Sequence, residues 1–405
     1  MYKIVKKCQI CNSSLSNFLN LGKQPLCDDL KSKPNKNKFY NLQVKFCKKC
    51  LTGFQKYNIN KKVLFPKNYH YRSANTNDVL LGMKNLVHET GKIKKNLKNK
   101  TVLDIGCNDG SLLNFFKKEG CKTFGLEPTG AFFEAKKRGH YLINNYFGYK
   151  TSQTLKSKIK TIDIITFTNV FAHIENFKEL IISLKNLITE DTLVVIENHY
   201  LGEVIKKNQF DTFYHEHPRT YSLNSFYFIS KLLNMNIIKY EFVKRYNGNI
   251  RVFLHRKKSF LKEKKLIHDL KKEKKLIKKV SLFQRNVNKW KTKKRNYFKK
   301  LSKKFGPIPA KAFPGRASIL INLLNLTNEN ISNVYEKNMS LKVNKYVPGT
   351  NIRIVKEKFF NKKERDKKKI INLAWHISGE IRSYLKKKMN YNGKVIDIIS
   401  NKDFN

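Results

Sequence analysis

Negative charge is in short supply in this chain, with 30 acidic side chains against 84 basic ones and a formal charge of +54. Such an excess ordinarily points to nucleic acid or another anionic surface. Arginine is scarce as well, 12 of those 84, the rest being lysine. Nucleic-acid sites favour the bidentate arginine fork. The excess therefore reads mainly as a Lys-, Asn- and Ile-rich composition, with a secondary benefit for anionic substrates. No run of about 18 apolar residues is present to span a membrane. The start, Met1 to Cys11, lacks the apolar segment of a secretion signal. A cytoplasmic location is expected, where the seven cysteines serve better as metal ligands or small buried residues than as disulfides. GxGxxG and HExxH are also missing, which argues against a dinucleotide fingerprint and a zincin site.

What is present is concentrated. Tyr214, His215, Glu216 and His217 place a phenol, two imidazoles and a carboxylate in consecutive positions, in a chain with 10 histidines. Histidine exchanges protons near neutral pH without any perturbation. Three readings fit this stretch by itself: a solvated loop, a metal site, or a cluster built around a base.

The 405 residues suffice for two or three domains. In the first, residues 1–75, Cys8-x2-Cys11 and Cys47-x2-Cys50 form two knuckles that together complete a tetrahedral, structural Zn²⁺ site with no open position. Cys27 lies between the pairs and is not expected to be a ligand. After them Tyr69 and Tyr71 alternate and so share a face in extended chain.

In residues 76–245, Thr101 to Leu113 reads as a strand, a glycine turn with Gly106 and Gly110, and a helix. The next strand ends in Glu127, placed for a ribose diol. Further strands over 162–169 and 192–197, with helices at 111–119 and 176–188, predict a doubly wound α/β sheet. The segment Asp104-Ile-Gly-Cys-Asn-Asp-Gly110 resembles the first motif of class I S-adenosylmethionine (SAM)-dependent methyltransferases. That likeness assigns Asp104, Gly106, Asn108, Gly110, Glu127 and Asn169 to the cofactor. His173 lies just past a strand's carboxyl end, where open sheets bind ligands.

Taken together these motifs resemble one family, the three-domain C-methyltransferases of nucleotide-linked keto-deoxysugars. The resemblance runs through the paired CxxC motifs with LGKQPL between them, Tyr69-x-Tyr71-x-Ser73, and DIGCNDGSLL. It continues through Asn169-Val-Phe-Ala-His173, Phe210-Asp-Thr-Phe-Tyr-His-Glu-His217, Asn247-Gly-Asn-Ile-Arg251, Ala317 to Asn322, Tyr346-Val-Pro-Gly-Thr350 and Leu373-Ala-Trp375. It implies a zinc module, a class I methyltransferase Rossmann-like domain and a second Rossmann-like domain over 246–405. It also implies that His217 is the general base, with Glu216, Tyr214, His173 and one of Tyr69 and Tyr71 around the sugar. The electrophile is then SAM and the zinc is structural, so a base is the component still needed. His215 has no assigned role.

The chain departs from the family in its last part, with Ala312-Phe-Pro-Gly-Arg316 in place of a glycine-rich turn ending in Lys, and with Tyr246, Asn247 and His376. These positions bear on which nucleotide is held. Asn249, Arg251 and Arg316 are the expected substrate contacts, the arginines on phosphate. Between Arg256 and Lys304, Leu266, Leu270, Ile277, Val280, Phe283, Val287, Trp290, Tyr297 and Leu301 recur at helical spacing and predict a core-facing stripe. The expected partner is a nucleotide-linked keto-sugar met by a monomer, without membrane or nucleic acid. An RNA-binding methyltransferase using the basic surface is the alternative.

Overall fold

A computed structural model describes residues 3–404 except 68, 70 and 258–262, and leaves the side chains of Tyr246 and Asn401 outside the description. His70 of the Tyr-x-Tyr segment and the Tyr246 side chain thus fall outside the described set. Contacts group the chain into two units, neither of them a single run of sequence. One comprises 1–17, 45–203 and 216–277, the other 18–44, 204–215 and 278–405.

The first unit is built on seven strands: β1 Thr101–Ile105, β2 Lys122–Leu126, β3 Tyr141–Ile143, β4 Ile164–Thr168, β5 Leu193–His199, β6 Asn236–Val243 and β7 Asn249–His255. Their order is β3-β2-β1-β4-β5-β7-β6, parallel throughout except that β7 runs antiparallel to both its neighbours. The central strands β1, β4 and β5 are apolar and almost wholly buried because helices cover both faces, as a parallel sheet requires, while the edge strand β3 is partly exposed. Successive connections leave β1 and β4 in opposite directions, and that switch point opens a crevice at their carboxyl ends. Asn249–His255, which the sequence reading assigns to the third segment, belongs to this sheet, and every residue of it is buried.

A second sheet joins the zinc region to the His-Glu-His segment. Arg219–Thr220 pairs antiparallel with Gly53–Phe54, and the Gln55 amide donates to the Pro218 carbonyl at 2.9 Å.

The other unit holds a five-stranded parallel sheet from β8 Ile308–Lys311, β9 Ile331–Glu336, β10 Ile354–Lys356, β11 Lys369–Asn372 and β12 Lys394–Asp397. Its order, β10-β9-β8-β11-β12, puts a second switch point between β8 and β11.

The predicted lysine-rich helix is two helices, α1 Glu263–Glu273 and α2 Leu276–Phe305, interrupted at Lys274 and Lys275. Burial of Val280, Phe283, Val287, Trp290 and Leu301 fits the stripe. Tyr297 does not belong to it: that ring is 39% exposed, and the adjacent Phe298 is buried instead. Trp290 packs on Phe210 at 4.8 Å between centroids, and Phe283 packs on Phe18 at 5.2 Å. Trp290→Ala should therefore destabilise this unit by about 3–5 kcal/mol, read as an earlier denaturant midpoint; an unchanged midpoint would show that the stripe does not hold the unit together.

Candidate active site

The four cysteine Sγ atoms lie within 4.8 Å of one another, with contacts of 3.4 Å for Cys8–Cys50 and Cys8–Cys11 and 3.5 Å for Cys11–Cys47. Four convergent thiols with no fifth group suit a tetrahedral Zn²⁺. Hydrogen bonds from Cys50 and Cys8 hold the Cys47 thiol far below its ordinary range, so the cluster already favours thiolate there. The module is wired to the base segment. The Ser225 hydroxyl donates to the Cys50 carbonyl at 3.2 Å, and the strand that follows Cys50 pairs with the residues that follow His217. Cys27 is buried in the other unit, apart from this cluster.

The residues expected to hold the cofactor gather at the first switch point. After β1 the chain turns through Gly106 (φ 71°), Asn108 (φ 51°) and Gly110 (φ 77°). A Cβ on Gly106 would stand 2.6 Å from Val170, so only glycine permits that approach. Glu127 closes the turn: one oxygen accepts from the Asn108 amide at 2.9 Å and the other from the Thr129 amide and hydroxyl. Asp104 lies beneath, accepting from the Thr166 hydroxyl at 2.7 Å, and burial pushes its carboxyl up to about 7. Asn169, in left-handed conformation after β4, has a buried Nδ2 with no partner among the described residues. A bare donor beside a glycine cradle and a buried carboxylate fits a nucleoside cofactor carrying acceptor groups.

His217 is 4% exposed. The His173 ring lies 4.8 Å from it, and the ring of His199, the last residue of β5, lies 5.3 Å away. His173 Nδ1 donates to the Glu216 carbonyl at 2.6 Å, which fixes its tautomer. Tyr69 donates its hydroxyl to Glu216 Oε2 at 3.2 Å. Tyr69 rather than Tyr71 thus reaches the cluster; Tyr71 is 36% exposed and offers its main-chain carbonyl to Asn108 Nδ2. Tyr214 is half-buried in the 204–215 segment of the other unit. His215 is buried with Nε2 on the Tyr40 carbonyl at 3.3 Å, and burial lowers it to about 4, which leaves it a neutral packing residue. His199 was missed by the sequence reading, which ended that strand at Glu197. Its place at a strand's carboxyl end was the available signal.

Arg251 is not a free phosphate fork. It is 1% exposed and donates to Glu197 at 2.8 Å, Asn85 at 2.7 Å, Glu241 at 3.2 Å and the Gly82 carbonyl at 3.1 Å. An arginine so consumed is a structural ion pair. Burial pushes the Glu197 carboxyl up, but Arg245 and Arg251 outweigh it and hold Glu197 below its ordinary range. Asn249 also turns inward, its Nδ2 bridging Glu197 and Asn169 at 3.1 Å each. Neither residue presents itself to a substrate phosphate.

Arg316 differs. It follows β8 at the second switch point, faces Asp211 at 3.4 Å and Thr212 at 3.1 Å, and stacks over Trp375 at 5.5 Å. Its Nη2 is buried with no partner among the described residues, as is Asp211 Oδ1. Asp211 and Trp375, joined at 2.9 Å, fall in motifs the sequence reading quoted without giving either a role.

Three family models match in tandem: a zinc binding domain over 8–65, a methyltransferase domain over 79–239, and a C-methyltransferase C-terminal domain over 245–399. Together they give the chain the domain order of a three-part C-methyltransferase, each model covering less than half of it. Residues 79–239 are thus a methyltransferase domain built on the doubly wound sheet described above, and the four clustered cysteines lie in the zinc binding domain. A relative, C-methyltransferase NovU of Streptomyces niveus, is 24% identical over 254 residues, which span 62% of this chain and 60% of that protein. Similar solved structures include the PH0226 protein of Pyrococcus horikoshii OT3 (14% identity, TM-score 0.37, 48% of this chain and 98% of that one). Another is magnesium protoporphyrin IX methyltransferase of Synechocystis PCC 6803 (13%, TM-score 0.34, 44% and 84%). No described helix of the chain is long and apolar enough to cross a membrane.

Two outcomes follow from this geometry. Structural zinc is worth ~10–16 kcal/mol in model peptides. Chelation should therefore lower the melting temperature and silence methylation while SAM affinity measured by calorimetry persists; a metal-free protein melting unchanged contradicts a structural site. Asp104, with its folded value raised to about 7, is protonated in the fold where the unfolded chain is ionised. Stability should therefore fall as pH rises from about 4 to about 7, and Asp104→Asn should flatten that slope in denaturant titrations.

Proposed function

We infer that this C-methyltransferase acts on a nucleotide-linked keto-deoxysugar, methylating a carbon next to the ketone through an enolate. The observation that carries the reading is His217: a buried imidazole at the switch-point crevice, backed by Glu216 and flanked by two further imidazoles. A carbon acid beside a carbonyl needs a positioned base, an effect worth ~10²–10⁴-fold.

Gly106 to Gly110, Glu127, Asn169 and Asp104 hold the cofactor, which when bound supplies a methyl already activated on a sulfonium. His217 removes the proton. Tyr69, whose single hydroxyl proton goes to Glu216, orients that carboxylate beside the base. Tyr214 is assigned to the sugar by its place in the same segment. In the other unit, Arg316 has an Nη2 unbonded among the described residues, and an arginine fork of this kind suits phosphate oxygens. The enzyme works as a cytoplasmic monomer, in a compartment that keeps its zinc thiols reduced.

Labelled SAM incubated with a panel of nucleotide-linked 4-keto sugars should yield a methylated sugar located by mass and NMR; no transfer to any of them would remove the substrate assignment. In deuterated water, His217→Ala should bind SAM normally yet lose exchange at the carbon next to the ketone. Retained exchange would exclude His217 as the base.

A further inference from the structure

A base that is 4% exposed and has taken a proton must pass it on before the next turnover. Of the two imidazoles beside His217, His173 is committed, its Nδ1 to the Glu216 carbonyl and its ring to Phe65 at 5.2 Å. His199 stands opposite Asn249 of β7 and is half-buried, nearer to solvent than the base. Its ring centroid is 5.3 Å from that of His217, with the planes 56° apart. Once the half-width of each ring is taken off, that separation is within reach of one N–H···N hydrogen bond of about 2.9 Å. Imidazole can also accept at one nitrogen while donating from the other. The charged and titratable groups facing the pair are Glu216, Tyr69 and His173, and behind His199 on the same strand face Glu197 with Arg245 and Arg251.

We propose that His199 is a positioning residue for the base, fixing the His217 tautomer that turns an unprotonated nitrogen to the substrate and receiving the proton on its way to water. This rests on the enolate reading above. The substrate C–H bond breaks and its electron pair remains as the enolate. The proton binds one nitrogen of His217, and the proton on the opposite nitrogen crosses to His199 and then to solvent. The methyl takes the place of the lost hydrogen on carbon, so no further reactant is required.

The test compares His199→Phe, His199→Gln and His199→Ala in the full-length, zinc-loaded protein, with melting temperature and SAM affinity as checks on folding. Methyl transfer and solvent exchange should both fall about 10- to 100-fold, less than on loss of the base itself. The acid limb of the pH–rate profile should move, and free imidazole should restore part of the rate to His199→Ala. A folded variant with an unmoved profile and no imidazole rescue overturns the proposal. A wild-type protein that exchanges no keto-sugar would instead overturn the enolate reading. In that case nitrogen NMR decides: His217 titration that shifts on replacing His199 supports the coupling, and titration that stays put ends it.

Discussion

The Glu197 carboxylate, wholly buried on β5, accepts hydrogen bonds from Arg245, Asn249 and Arg251. It ties the antiparallel strand β7 to the parallel core, and through Asn249 it holds the side chain of Asn169 in the cofactor crevice. The main chain repeats the link, since the Asn169 amide donates to the Glu197 carbonyl at 2.7 Å. Removing one partner from a buried ion pair typically costs about 3–5 kcal/mol because the survivor is left charged and unsolvated. Two residues further along the same strand face comes His199. One charged network thus sets the position of both the glycine-turn crevice and the histidine cluster.

Local spacing made some features plain in advance. Paired CxxC motifs, a glycine turn after an apolar strand, and an acid at the end of the next strand are each fixed by a few neighbouring residues, so Cys8 to Cys50, Gly106, Gly110 and Glu127 could be placed from sequence. Long-range partners could not. Nothing near Arg251 announces that Glu197 and Asn85 will consume it, and nothing near Asn249 announces Asn169. The same blindness hid His199, whose neighbour across the crevice is 18 residues further on in sequence. The break at Lys274 and Lys275 was invisible because lysine is a good helix former.

The skewed composition also acquires a division of labour. Lysine covers exposed faces such as that of α2, where a hydrated point charge is easily accommodated. Four of the few arginines, Arg219, Arg245, Arg251 and Arg316, are instead buried. A planar guanidinium is less strongly hydrated and can satisfy several acceptors at once, which suits an interior position. Charge on the outside of this protein is thus cheaply exchanged, whereas each of these interior arginines is tied to a specific geometry.

The path of the first 50 residues has a consequence of its own. Cys8 and Cys11 precede, and Cys47 and Cys50 follow, the stretch 18–44 that groups with the other unit. The metal therefore acts as a clasp across the neck of a loop whose body belongs elsewhere. A cross-link of that kind limits the unfolded freedom of everything between its ends. Cutting the chain after the last cysteine would not release an independent module, because it would remove part of both units.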